Sequence, residues 1–117
     1  MADDTTVIAE LRARVANFVR TREWETYHNP KDLAIALSVE ASELLELFEW
    51  KRPEEIDLQD AAWRASLEEE LADVFIYTLH LANAIGCDLS EAAIRKIAKN
   101  AEKYPAETYR GRARTGA

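Results

Sequence analysis

Two pairs of acidic residues each place one member, Glu40 and Glu70, at a position where the surrounding pattern predicts an apolar residue. Glu40 and Glu43 lie three residues apart, as do Glu70 and Asp73. Side chains at this spacing leave the same side of a helix, so each pair would form one carboxylate patch. If the two helices pack along these faces, four carboxylates converge, and their repulsion favours protonation or a bound cation. Mg²⁺, Mn²⁺ and Ca²⁺ are the ions that prefer oxygen ligands of this kind.

Both pairs interrupt an apolar seam with the alternating four- and three-residue spacing of a packed helix. In the first seam, Glu40 completes a series of leucines at positions 33, 37, 44 and 47. In the second seam, Glu70 completes an apolar series at positions 67, 74, 77 and 81. Acidic residues three apart are also common on solvated faces, and we expect that ordinary setting for Glu46, Glu49, Glu68 and Glu69. The pattern alone therefore leaves a metal site and a solvated acidic face both open.

Four helical segments would position these residues, and local signals bound each of them. The predicted helices cover about residues 6–22, 30–49, 61–85 and 88–104. The cap signals are Asp4 or Thr5 for the first, Asn29-Pro30 for the second, Gly86 at the end of the third, and Asp88 with Glu91 for the fourth. Pro105 should stop the last helix, and the tail AETYRGRARTGA is predicted to be loose. The short links favour antiparallel neighbours in a bundle.

The composition favours a single all-α domain over residues 1–117, with its core in about 6–105. The chain contains only three glycines and three prolines, so tight turns are few. A formal net charge of −7 argues against a broad surface for nucleic acid. No apolar run approaches the roughly 18 residues of a membrane span, and MADDTTVIAE lacks the features of a signal peptide. Because the single Cys87 cannot form an intramolecular disulfide, we expect a cytoplasmic protein.

Other metal and nucleophile chemistries fit the sequence poorly. A di-iron bundle requires repeated Glu-x-x-His pairs, whereas Glu25-x-x-His28 occurs once, in the link before Pro30. Cys87 and two distant histidines do not form a zinc ligand set. The sequence has no glycine-rich phosphate loop and no Gly-x-Ser-x-Gly elbow. Any phosphate chemistry would therefore depend on a metal ion and basic side chains.

Three stretches of sequence, which occur in a fixed order along the chain, are more specific than the acidic pairs alone. They read REWETYHNPKDLAIALSVEASELLELFEWK, EEELADVFIYTLHLA and KIAKNAEKYP. With them, residues 8–105 resemble the MazG-like, all-α nucleoside triphosphate pyrophosphohydrolases, and most closely their dCTP pyrophosphatase branch. The signature of that family is Glu-x-x-Glu, a gap of variable length, and Glu-x-x-Asp.

The resemblance implies a four-helix MazG-like bundle that hydrolyses a nucleoside triphosphate to the monophosphate and pyrophosphate. By position, Glu40, Glu43, Glu70 and Asp73 would be catalytic and would bind Mg²⁺, with Mn²⁺ as a possible substitute. One of the glutamates would instead orient or deprotonate the attacking water. This agrees with the physical logic of metal-assisted hydrolysis, in which the ion neutralises phosphate charge and a carboxylate takes the proton.

The resemblance also implies residues that contact the nucleotide. Trp24 and Trp50 match aromatic positions that hold the base, and Tyr77 matches a tyrosine near the sugar. A phosphate- or sugar-binding role is implied for Asn100 and for the neighbouring Lys96 and Lys103. Animal members carry a histidine where this chain has Val15, and His28 is a candidate replacement. The alternatives are core packing for the tryptophans, seam packing for Tyr77 and simple solvation for the lysines.

We therefore predict a Mg²⁺-dependent enzyme that cleans the nucleotide pool, with dCTP or a modified dCTP as first substrate. We expect a nucleoside triphosphate partner, no nucleic-acid or membrane partner, and a homo-oligomer that is a dimer or a dimer of dimers. Two alternatives stay open. One is the same chemistry on dUTP, an oxidised nucleotide or phosphoribosyl-ATP. The other is a non-catalytic helical interaction module.

Overall fold

Helices form all of the regular secondary structure in residues 1–112, the part of the chain that the computed structural model describes. The all-α class predicted from the sequence is confirmed. A first compact unit, Met1–Gly86, contains α1 (Ala2–Thr5), α2 (Ile8–Thr21), α3 (Pro30–Glu46) and α4 (Ala61–Ile85). A second unit begins at Cys87 and contains α5 (Leu89–Lys103) and α6 (Ala106–Tyr109). Short 3₁₀ turns, Glu25–Tyr27 and Pro53–Glu55, lie in the links of the first unit.

Local side-chain chemistry sets most of the helix ends. The Asn29 side chain accepts a hydrogen bond from the Asp32 amide at 2.9 Å, and Pro30 begins α3, as predicted. Gly86 ends α4 with a φ of 67°, a left-handed conformation that costs glycine little. α3 ends at Glu46 rather than near residue 49, because its last turn tightens before Pro53. There the Phe48 amide bonds to the Leu45 carbonyl at 2.9 Å.

The start of α2 differs from the prediction. Neither Asp4 nor Thr5 caps it: Val7 is the N-cap, and no side chain bonds to the helix start. The two predicted cap residues instead lie in α1, where the Met1 ammonium pairs with the Asp4 carboxylate at 3.4 Å. An acidic side chain in a first helical turn is favourable there, which accounts for the use of Asp4 in α1.

The core of the first unit forms where α4 packs against α3 and α2. Within residues 1–112, the buried apolar side chains are Val19, Leu33, Leu79 and Ala82. These four come from all three long helices of the unit and fix α4 between its neighbours. No helix in the described part of the chain is long and apolar enough to cross a membrane.

A polar link joins α2 to α4 beside this core. The Arg12 guanidinium donates through Nε to the Asn83 side-chain oxygen at 2.8 Å. In return, the Asn83 amide donates to the Arg12 carbonyl oxygen at 3.1 Å. Both bonds are partly buried and join residues that are far apart in sequence, so they fix the position of α2 along α4.

Replacing Asn83 with alanine is expected to lower the free energy of unfolding by about 1–2 kcal/mol, because the Arg12 guanidinium loses the Asn83 acceptor in a partly buried place. Urea denaturation measures the loss. Asn17→Ala is the matched control, since Asn17 is exposed and accepts only a 3.4 Å contact from Arg20. Equal losses for the two variants would show that the link contributes nothing beyond a surface contact.

The second unit begins with a side-chain cap. Asp88 accepts a hydrogen bond from the Glu91 amide at 2.9 Å, and the Glu91 carboxylate pairs with Arg95 at 3.1 Å. α5 ends at Lys103, immediately before Tyr104 and Pro105. The predicted loose tail is partly wrong, because α6 forms there and the Tyr109 ring contacts the Tyr104 ring edge-on at 5.3 Å. The rest of the predicted tail, 113–117, lies outside the described residues.

The single-domain prediction for residues 1–117 stays a prediction.

Candidate active site

Three of the four predicted carboxylates meet where α3 packs against α4. Glu40 and Glu43 come from α3 and Glu70 from α4, and one carboxylate oxygen of each lies within 4.8 Å of the other two. An ion with metal–oxygen distances of about 2.0–2.6 Å could contact oxygens at this separation. Asp73 lies outside this closest group, but its charge acts on both Glu40 and Glu70.

Two carboxylate oxygens of the cluster have no hydrogen-bond partner. Within residues 1–112, they are the buried side-chain polar atoms that remain unsatisfied, Glu40 Oε2 and Glu70 Oε2. None of the ion pairs in this part of the chain involves either residue. Burying a carboxylate oxygen without a partner is costly, so a bound proton or cation would stabilise these two oxygens. The donor set therefore fits a hard divalent ion held by Glu40, Glu43 and Glu70.

Burial and the repulsion among the carboxylates raise the pKa values of Glu40 and Glu70. Burial raises the pKa of Glu40, and a side-chain hydrogen bond with Glu43 and the nearby carboxylate charges raise it further. Burial also raises the pKa of Glu70, with added contributions from Glu43 and Asp73. Because both effects penalise the charged forms, Glu40 and Glu70 hold their protons more tightly than ordinary glutamates do.

A divalent ion should therefore stabilise the protein more at neutral than at acidic pH. With folded-state pKa values above the ordinary 4.5, the folded state holds more protons than the unfolded state once the pH exceeds that value. Stability without the ion then falls as pH rises through this window, and ion binding offsets the loss. We expect Mg²⁺ to raise the melting temperature by several degrees near pH 7.5, and by clearly less near pH 5.

Differential scanning fluorimetry with Mg²⁺ or with a chelator, at both pH values, measures this difference. KCl at matched ionic strength is the control for screening of surface charges. An equal Mg²⁺ effect at both pH values would contradict a site made of these carboxylates.

A cavity of about 390 Å³ lies beside Asp73, between α2 and α4. Its wall includes Tyr77, as expected if this residue faces a nucleotide, and also Val15. His80 lines the cavity as well, although the sequence interpretation considered it only as a metal ligand and rejected it. The missed signal was its spacing, because His80 follows Asp73 by two helical turns and lies on the same face of α4.

The two candidate base-binding tryptophans have different surroundings. Trp24 is partly exposed, and its ring contacts the Phe18 ring edge-on at 5.9 Å. Phe18 lines the cavity, so Trp24 lies one side chain away from it. Trp50 is 88% exposed, which excludes core packing within the first unit. Trp63 packs edge-on against Phe48 at 5.2 Å between ring centroids.

His28 lies next to His80. The ring centroids are 4.7 Å apart with an interplanar angle of 83°. His28 lines a second cavity of about 260 Å³, to which His80 and Asn83 also contribute, but it is not among the residues that line the cavity beside Asp73. A direct contact of His28 with substrate stays a prediction.

The remaining predicted site residues lie in the second unit. Lys96, Asn100 and Lys103 are on α5, at spacings of four and three that place them on one helix face. The Lys103 ammonium lies 5.4 Å from the centroid of the Tyr104 ring. Phosphate or sugar binding by this face stays a prediction.

Comparisons with known proteins support the family resemblance that the sequence motifs indicate. A family model described as the MazG-like family matches residues 35–116, which include both acidic pairs. The dCTP pyrophosphatase 1 of Mus musculus is 42% identical over 110 residues, covering 91% of this chain and 64% of that protein. The Homo sapiens protein of the same name is 40% identical over 111 residues, covering 92% of this chain and 64% of that protein. The chain thus spans less than two thirds of the length of these relatives.

A solved structure shows the same fold. The crystal structure of a pyrophosphatase from Archaeoglobus fulgidus superposes with a TM-score of 0.73 and 38% sequence identity. The match covers 84% of this chain and 92% of the archaeal chain. The all-α arrangement found here is therefore that of a solved pyrophosphatase.

Proposed function

Because the chain belongs to the MazG-like family, we propose that it is a nucleoside triphosphate pyrophosphohydrolase, with dCTP or a modified dCTP as its substrate. The observation that carries the proposal is the cluster of Glu40, Glu43 and Glu70 with its two unpartnered buried oxygens. The names of the mammalian relatives support dCTP, and the name of the archaeal protein supports pyrophosphatase chemistry.

The proposed cofactor is Mg²⁺, with Mn²⁺ as a substitute. Glu40, Glu43 and Glu70 would hold it, with Asp73 as the fourth carboxylate of the set. When bound, such an ion neutralises phosphate charge and makes a water molecule more acidic. The carboxylates present only oxygen ligands, which matches the preference of both ions.

The reaction adds one water molecule and breaks the bond between the α- and β-phosphates. The products are the nucleoside monophosphate and pyrophosphate, and the attacking water loses a proton. A glutamate of the cluster that is not engaged with the ion would accept that proton. Holding the water and the phosphates together removes much of the entropic barrier to their encounter.

The remaining predicted site residues would contact the nucleotide. Trp24 and Trp50 offer exposed aromatic faces on which any base can stack, so they provide affinity more than selectivity. Tyr77 lies one turn after Asp73 and would face the sugar. His28 would support the base side of the site through His80. On α5, Lys96, Asn100 and Lys103 would bind phosphate or sugar oxygens.

The deciding experiment is a nucleotide panel with identified products. Purified protein is incubated with dCTP, 5-methyl-dCTP, dUTP, other deoxynucleotides and phosphoribosyl-ATP, with Mg²⁺, with Mn²⁺ or with a chelator. We expect dCMP and pyrophosphate from dCTP, dependent on the ion. If dCTP is inert and another nucleotide is hydrolysed, the proposal of dCTP as the substrate is wrong. If no nucleotide is hydrolysed, the enzyme proposal fails, and the alternative of a non-catalytic interaction module becomes the favoured function.

We also propose that the chain forms a homo-oligomer, a dimer or a dimer of dimers. The buried core of residues 1–112 is small, and large apolar side chains are exposed along two helices of the first unit. These residues are Ile35, Val39 and Leu45 on α3 and Leu71 and Phe75 on α4. Exposed apolar surface of this kind is typical of subunit contacts. Light scattering after size-exclusion chromatography should give a multiple of the chain mass, and the mass of one chain would contradict the proposal.

A single domain over residues 1–117 and a cytoplasmic location complete the proposal. The single Cys87 supports a cytoplasmic location, because it cannot form an intramolecular disulfide and disulfides are rare in the reducing cytosol. The net charge of −7 supports a small substrate bound through a cation rather than a nucleic-acid partner.

A further inference from the structure

The cavity beside Asp73 has a polar end that the proposed chemistry does not use. Its lining side chains come from α2 and α4, in the first unit. They are Arg14, Val15, Phe18, Asp73, Ile76, Tyr77 and His80. At about 390 Å³, the cavity is within the usual size range of small-molecule sites. Its apolar walls suit the flat faces of a ring, and its polar groups suit a ring edge.

α4 arranges the polar residues of this cavity in a fixed order. Asp73, Tyr77 and His80 follow one another at spacings of four and three, on one helix face. At a rise of about 1.5 Å per residue, His80 lies roughly 10 Å further along the axis than Asp73. A nucleotide also has a fixed order of phosphates, sugar and base. With its phosphates at the carboxylates, its sugar would meet Tyr77 and its base would meet His80.

His80 is nearly buried, yet the polar atoms of its ring are not satisfied by the protein. Its exposed fraction is 8%, and its ring contacts are with His28 and with Tyr77, at 4.7 and 5.3 Å between centroids. Within residues 1–112, no hydrogen bond involves the imidazole, and the ring nitrogens are not among the fully buried, unpartnered atoms. The ring nitrogens therefore keep some accessible surface, and the residue lines both cavities.

The charge state of His80 favours a base over a phosphate as its partner. Burial lowers the pKa of His80, and the neighbouring His28 lowers it further. A neutral imidazole has one N–H donor and one acceptor nitrogen, and it has no charge with which to attract a triphosphate. The edge of cytosine presents an amino donor beside acceptor atoms, which complements such a ring.

We propose that His80 hydrogen-bonds the edge of the substrate base and selects among pyrimidine nucleotides. This inference rests on the proposed nucleotide pyrophosphohydrolase function and adds the residue that chooses the base. A leucine at position 80 would have a similar size and would leave no polar atoms at the cavity wall. The ligand explains why the site has an imidazole instead.

Two substitutions separate hydrogen bonding from packing. His80→Leu removes the donor and acceptor at similar size, whereas His80→Gln keeps both kinds of group. We expect wild-type protein to prefer dCTP over dUTP in kcat/KM, and His80→Leu to reduce that ratio by about tenfold or more. His80→Gln should retain part of it. Thr78→Ala, which changes a residue of α4 that does not line this cavity, is the matched control and should leave the ratio unchanged.

A second measurement needs neither metal ion nor turnover. Imidazole signals of the wild-type protein are followed by NMR during titration with dCMP to millimolar concentration, with His80→Gln used for assignment. We expect a saturable shift of the His80 signal, and a smaller shift with the ribose phosphate that lacks the base. An unmoved His80 signal overturns the inference, even if a variant fails to fold.

The outcomes distinguish this inference from the proposed function. Hydrolysis of dCTP with an unchanged ratio in His80→Leu overturns the role of His80 and leaves the enzyme proposal intact. Absence of hydrolysis with every nucleotide overturns the enzyme proposal, and the dCMP titration then decides whether His80 contacts a base.

Discussion

Glu40→Gln is expected to reduce pyrophosphate release from dCTP by at least about 100-fold, because the amide can neither accept a proton nor hold a divalent ion as a carboxylate does. The same variant should unfold at an equal or higher temperature than wild type when a chelator is present at neutral pH. The reason is that Glu40 is partly buried beside three other carboxylates, and its raised pKa shows that its charge is unfavourable in the folded state. Substitution removes that charge while keeping the shape.

Glu49→Gln is the control for this pair of measurements. Glu49 is exposed just beyond the end of α3, so it should leave activity and melting temperature nearly unchanged. Steady-state pyrophosphate release and thermal unfolding are measured on the same preparations. A Glu40→Gln variant that melts well below wild type would mean that Glu40 has a structural partner. Full activity in the Glu40→Gln variant would show that Glu40 is not part of the catalytic site.

Leu33→Ala is expected to produce the largest loss of stability, about 2–5 kcal/mol in the free energy of unfolding. Leu33 is 2% exposed and comes from α3, where it contributes to the small buried core that α4 completes. Small domains have total stabilities of about 5–15 kcal/mol, so this one cavity would remove a large part of the total. Urea denaturation followed by circular dichroism gives the value.

Leu45→Ala is the matched control, because Leu45 is the same residue type on the same helix but is exposed. Because the proposed subunit contact includes Leu45, the comparison is made at protein concentrations low enough for the monomer, where we expect a loss below about 1 kcal/mol. A loss at Leu45 that approaches the loss at Leu33, and that depends on protein concentration, would place Leu45 in a subunit contact. A loss of less than about 1 kcal/mol at Leu33 would contradict its place in the core.

The helices could be predicted well where their ends carry local signals. Asn29 with Pro30, Gly86 and Asp88 each act through their own backbone or side chain, and each bounds a helix as expected. The start of α2 could not be predicted in this way, because Val7 has no side-chain bond to offer. The end of α3 also depends on how the chain turns toward Pro53, which the apolar seam does not encode.

The acidic pairs were predictable because helix spacing alone places each pair on one face. The convergence of all four carboxylates was an expectation about packing, and Glu40, Glu43 and Glu70 meet between α3 and α4 while Asp73 lies outside this closest group. The seven-residue spacing places His80 on the same face of α4 as Asp73, but its position in the cavity was not predictable. It depends on which residues of α2 face α4, and the sequence contains no direct signal for that pairing.

The unbroken length of α4 has a consequence for how this protein can change. Its 25 residues carry Glu70, Asp73, Tyr77 and His80 on a single helical ladder. Inserting or deleting one residue between Asp73 and His80 would rotate everything beyond it by about 100° and turn the imidazole out of the cavity. The segment between α3 and α4 is under no such constraint, since it can lengthen or shorten without rotating either helix. With the role proposed for His80, base preference would change by substitution at position 80, whereas the link 47–60 could change in length without turning the imidazole out of the cavity.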